Sequence, residues 1–129
     1  MYIFILSFTD IFKYVLDKYG VEPDYPWMKD PASGVLRHLN TRKWFGIVLA
    51  APKNYLGTGS EGYEDVINMK CDPMLIDTLI QNKGYYRAYH MNKQQWISIR
   101  LDGSVPLEKI CDLLDLSFEL TETKSNKSL

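Results

Sequence analysis

An α+β fold, with one antiparallel sheet and its helices packed on one face, is predicted by three features of this sequence. Its 129 residues are a one-domain length. Its apolar residues change period along the chain, from about 3.6 in helical stretches to 2 in extended ones. The stretches occur in the order α-β-β-β-α-β-β-α. Strands that run together without alternating helices argue for antiparallel pairing rather than a parallel sheet. A single domain over 1–121 is expected, then a polar tail over 122–129.

At the N-terminal side, Thr9-Asp10 can cap a helix over 10–19, where Ile11, Phe12, Val15, Leu16 and Tyr19 form one apolar stripe. Gly20 supplies the left-handed stop. The stretch 21–31 holds three prolines and reads as a covering loop, with Tyr25 and Trp27 over the core edge. A strand over 35–39, the turn Asn40-Thr41-Arg42 and a strand over 43–51 make a hairpin. Phe45, Ile47 and Leu49 are expected on one face of the second strand. A Gly-rich loop leads to a strand over 65–71, with Ile67, Met69 and Cys71 inward and Val66, Asn68 and Lys70 on the other face.

Asp72-Pro73 opens a second helix over 73–82: Asp accepts from free amides, and Pro fits the first turn. Leu75, Ile76, Leu79 and Ile80 are its buried face, and Gly84 ends it. Strands are expected over 85–89 and 95–101, the latter with Ile97, Ile99 and Leu101 inward. Asp102-Gly103 turns the chain into a third helix over 106–117. With helices on one face, the other sheet face is expected to be partly open. By alternation it presents Val66, Asn68, Lys70, Trp96, Ser98 and Arg100.

Composition limits the function classes. The formal net charge is −1, which excludes a global polyelectrolyte attraction to nucleic acid or membrane. The charge is uneven: residues 33–101 carry nine Lys/Arg against five Asp/Glu, and the remainder six against eleven. A basic centre between acidic ends can carry a local positive patch. The apolar start MYIFILSF is too short for a membrane span, which needs ~20 apolar residues, and lacks the pattern of an export signal. It reads as an extra edge strand or a lead-in to the first helix, and a cytoplasmic location is expected. Cys71 and Cys111 have no metal-ligand spacing and fall on apolar stripes, Cys111 with Leu107, Ile110 and Leu114. Both are expected as reduced, buried thiols.

Several blocks occur in a set order: YGVEPDYPW at 19–27, VLRHLNTRKWFGIVL at 35–49, VINMKCDP at 66–73, YHMNKQQWISIRLDGSVP at 89–106 and LLDLSFELT at 113–121. Together they resemble the MmcQ/YjbR-like family of small bacterial proteins. The resemblance implies an α+β, secretion-chaperone-like fold and a DNA-binding role through a double wing of strands. The chain departs from the family at Gln95, where many members carry His, so no activity that depends on that His is implied.

The residues themselves offer three functional readings. In the leading one, Arg37, Arg42, Lys43, Lys70, Lys93 and Arg100 touch nucleic-acid phosphates, while Trp96, Tyr89 and His90 stack or hydrogen-bond. Arg37, Lys43, Lys70 and Arg100 are expected to form one positive patch. The bland counterpart is edge-strand protection by charge and a loop whose His and Asn satisfy backbone groups. The second reading is a protein-interaction module using the open sheet face and the run Tyr85, Tyr86, Tyr89. The third is a small-molecule binder or enzyme centred on His90, Lys93 and Trp96. A non-enzyme without cofactor or metal is favoured, because Ser98 and Ser117 have no local partners and two histidines cannot build a zinc motif. Gly57 to Gly62 fits GxGxxG, but an alternating strand comes after it where a dinucleotide site needs a helix. Glu108, Asp112 and Asp115 share one helix face and read as solvated.

Overall fold

The computed structural model describes residues 8–26, 33–57 and 61–122. Its elements are α1 (Phe8–Tyr19), β1 (Gly34–Arg37), β2 (Trp44–Pro52), β3 (Tyr63–Lys70), α2 (Pro73–Leu79), β4 (Tyr85–Arg87), β5 (Trp96–Arg100) and α3 (Leu107–Thr121). The strands form one sheet in the order β1-β2-β3-β5-β4, with every pairing antiparallel. The predicted order and pairing therefore hold. The apolar start, Trp27 and the tail beyond residue 122 lie outside the described residues.

One sheet face carries the main core. Val48, Ile67, Ile99 and Tyr85 form a cross-strand row on it, and Met69 and Ile97 form the next. Ile11, Val15, Ile76, Ile110 and Leu114 of the helices close over these rows, all without exposed surface. Gly46 lets α3 approach, since a Cβ there would meet Leu36 and Leu114 side chains at 3.1 and 3.2 Å.

The face expected for β2 is corrected. Leu36 pairs with Gly46 and Arg37 with Trp44, so Phe45 is the extra residue of a β-bulge. The bulge turns Phe45 into the helix-side core, edge-on to His38, Tyr19 and Phe118. Ile47 and Leu49 then fall on the opposite face, paired with Asn68 and Val66.

Several element ends also move: α3 runs on to Thr121 instead of 117, β1 stops at Arg37 and β3 starts at Tyr63, and two further shifts go with local contacts. α2 stops at Leu79, and the Asn82 side chain bonds back to the Thr78 carbonyl at 3.1 Å. β4 stops at Arg87 because the open face captures the backbone around Tyr89. Asn68 Nδ2 donates to the Tyr89 carbonyl at 2.8 Å, and the Tyr89 N–H donates to Ser98 Oγ at 2.9 Å.

The second face is partly covered. Tyr89 lies over its middle, and Ala51, Leu56 and Val66 form a small core with Tyr55 and Tyr86 beside them. Asn68 and Ser98 are fully buried beneath it, bonded to each other. Among the described residues no helix is long and apolar enough to cross a membrane.

Asp115 is not solvated as its helix face suggested. It accepts from Tyr19 at 2.6 Å, Tyr14 at 2.7 Å and Lys18 at 2.9 Å, and so ties α1 to α3. Burial pushes its carboxyl up, but the three hydrogen bonds outweigh that and hold it below the usual carboxylate value.

Candidate functional site

The uncovered part of the second face is one end of the sheet. Lys70 and Trp96 are direct cross-strand partners there, on β3 and β5. Arg37 and Trp44 are partners on β1 and β2 at the same end, since antiparallel pairing brings the start of β2 beside the finish of β3. Alternation sends all four side chains outward. Their neighbours Leu36, Phe45, Met69 and Ile97 are buried on the helix side.

The Arg37 guanidinium lies over the Trp44 ring at 5.4 Å and donates to Asp24 at 3.0 Å. The β1–β2 turn adds Arg42 and Lys43. Arg42 takes a left-handed φ of 66° and is mostly exposed, 3.9 Å from the same Asp24. Among the described residues, neither Lys43 nor Lys70 has a carboxylate partner.

Below this end runs a buried polar relay. Ser117 of α3 donates to the Phe45 carbonyl at 2.7 Å and accepts from the Lys70 N–H at 2.9 Å. The bulge parts β2 from β3 here, and the helix hydroxyl bridges the gap. One turn on, Thr121 Oγ1 lies 2.8 Å from the Ser117 carbonyl, to which it donates, and shares a 2.8 Å hydrogen bond with His38 Nε2. The ring is thereby held between Thr121 and the Phe118 backbone at the last turn of α3. Burial holds its pKa below the usual histidine value, and Lys43 adds to the shift against Glu122. Sequence reasoning missed this relay, because each member looks unpartnered in its own segment.

The loop after β4 is locked rather than poised. Tyr55 donates to the Arg87 carbonyl at 2.9 Å. Lys93 Nζ donates to the Ala88 carbonyl at 3.1 Å and lies 5.6 Å over the Tyr55 ring. His90 takes a left-handed φ of 68°, and its ring lies tilted by 40° against Tyr89, with centroids 3.9 Å apart. A wide groove of about 510 Å³ beside the loop is lined by Pro73, Asp77, Arg87, Lys93, Gln94 and Gln95. Arg87 is paired with Asp77 across it at 2.9 Å. His90 and Trp96 do not line that groove, so the trio His90, Lys93 and Trp96 does not enclose one pocket.

Arg100 corrects the expected patch. It pairs with Val66, whereas Lys70 pairs with Trp96, four residues along the ladder. At ~3.3 Å per residue, that is about 13 Å away. Its guanidinium is also spent: it grips Glu64 at 3.0 and 2.8 Å and Asp102 at 3.0 Å, with 16% of the side chain exposed. The tyrosine run is dispersed too. Tyr85 is core, Tyr86 meets Arg100, and Tyr89 packs against Tyr55. The segment after the Gly-rich loop is β3, without the helix a dinucleotide site requires. Cys71 and Cys111 are both free and buried.

A five-stranded antiparallel sheet, helices on one face and a cation–aromatic end on the other define a small α+β domain. The chain belongs to the YjbR family, whose family model matches residues 16–120. It is 41% identical over 118 residues to the uncharacterized protein YyaQ of Bacillus subtilis (strain 168), covering 92% of this chain and 100% of that protein. A crystal structure from Pseudomonas syringae is similar with a TM-score of 0.85 and 35% identity, covering 91% of this chain and 100% of that one. A Deinococcus radiodurans protein, 22% identical, shares the fold with a TM-score of 0.69, over 94% of this chain and 82% of its own.

Proposed function

We propose that this protein acts in the cytoplasm as a nucleic-acid-binding protein, with DNA as the first ligand to test. The observation that carries the reading is the gathering of Arg37, Arg42, Lys43 and Lys70 with Trp44 and Trp96 at one end of the sheet face. Like charges held close cost free energy unless an anion offsets them, and Asp24 answers only the arginines. Lys70 and Lys43 touch phosphates in this reading, Arg37 and Arg42 assist, and Trp96 packs against the ligand. His90 and Lys93 flank the site and shape its rim through the locked loop. Arg100 is left out of the set. Two free thiols suit a reducing compartment.

Binding of a labelled DNA by the full chain, monitored while salt is raised, tests this. About four phosphate contacts predict a log–log slope of about −3 to −4. Lys70→Ala and Lys43→Ala should each reduce the slope by about one and leave the fold intact. Absence of binding to any nucleic acid at low salt would remove the reading.

A further inference from the structure

We infer that the ligand is bound as a single strand, with a base stacked on the Trp96 indole and the backbone held at Lys70 beside it; this rests on the nucleic-acid reading above. Four side chains on four strands make the platform: Arg37 on β1, Trp44 on β2, Lys70 on β3 and Trp96 on β5. Cation and indole alternate across the sheet. Trp96 is half-buried, and among the described residues it stacks on no other ring. An outward ring edged by a lysine is a surface that a base can cover, and every base has a face to offer.

Duplex DNA would leave the Trp96 ring idle, because its bases expose their faces only at the ends. Reading a duplex from the major groove takes a helix or a projecting two-stranded ribbon, and the groove is about 8.5 Å deep. All three helices belong to the other sheet face or its edge, where their buried residues join the main core. The β1–β2 hairpin is also too blunt. Its pairing ends at Arg37 and Trp44, the Arg42 N–H returns to the His38 carbonyl at 3.0 Å, and His38 is itself buried. The cations of this end can touch phosphates of either form, but only an unpaired strand uses the Trp96 indole as well.

The experiment compares three probes of about twelve nucleotides on the full chain at low salt: oligothymidine, oligouridine and a blunt DNA duplex. Anisotropy reports binding, and tryptophan fluorescence reports stacking. The expected result is single-strand affinity about tenfold or more above duplex affinity, with tryptophan quenching that saturates with binding. The two single strands separate DNA from RNA as the source. Trp96→Leu should weaken single-strand binding about tenfold and leave duplex binding unchanged, whereas Lys70→Gln should weaken both. Equal or tighter duplex binding, or single-strand binding without quenching, overturns the inference and leaves nucleic-acid binding standing. No binding to any probe overturns both. The quenching comparison needs no variant, so a Trp96→Leu chain that fails to fold does not remove the test.

Discussion

Ser117 Oγ stands where a strand partner would stand. It satisfies the Phe45 carbonyl and the Lys70 amide, which the bulge in β2 keeps from pairing with each other. Ser117 is fully buried, so without its hydroxyl both backbone groups lose their partner away from water. An orphaned buried polar group costs about 1–3 kcal/mol. Ser117→Ala should therefore destabilise the domain by about 2–4 kcal/mol in urea denaturation. A loss under about 0.5 kcal/mol would mean that water or a shifted strand replaces the hydroxyl. In the sequence Ser117 is only the expected last residue of the third helix, a serine without local partners. It carries no sign of strand contacts 47 and 72 residues away, so the role could not be read there.

At the scale of elements, α1 is fastened to α3 through one carboxylate. Asp115 takes hydrogen bonds from Tyr14, Lys18 and Tyr19, and Tyr19 also stacks on Phe118 at 3.9 Å. The Asp115 carboxyl is held below its unfolded value of about 3.9. A depressed acid contributes stability that is present above the unfolded value and lost as pH falls through it toward the folded one. Wild-type stability should thus drop steeply below about pH 4, and Asp115→Asn should show a flatter profile while losing about 2 kcal/mol at neutral pH. Parallel profiles for the two proteins would show that the carboxylate is not the fastener. The helix period locates Asp115 beside Asp112 and Glu108 but cannot see tyrosines on another helix. The strands show the converse: alternation in β3 and β5 assigned faces correctly, because their ladder runs without interruption from Val66–Arg100 to Lys70–Trp96. In β2 the same rule failed between Phe45 and Ile47, since one extra residue reverses every face after it.

For the whole molecule, charge proves to be a matter of place rather than count. The basic excess of residues 33–101 was legible, and so was the outward direction of Lys70 and Trp96. The neutralisation of Arg100 was not, because Glu64 lies 36 residues away in the chain and meets it only through the β3–β5 pairing. The thiols were legible from their apolar stripes. Burial, aided by neighbouring acidic charge, pushes both Cys71 and Cys111 up to about 11, so little thiolate exists at neutral pH. The native protein should react with a thiol reagent at least about tenfold more slowly than the urea-unfolded chain; equal rates would show that the core opens freely. The Ser117 bridge also joins the two sides of the sheet. The amide under the Lys70 side chain is anchored to a helix on the far side, so the last turns of α3 cannot fray without loosening the strand that carries Lys70 and faces Trp96. Breathing of that helix end and softness of the exposed cation–aromatic surface are then one fluctuation with one opening free energy. A ligand that stiffens the surface would quiet the helix behind it.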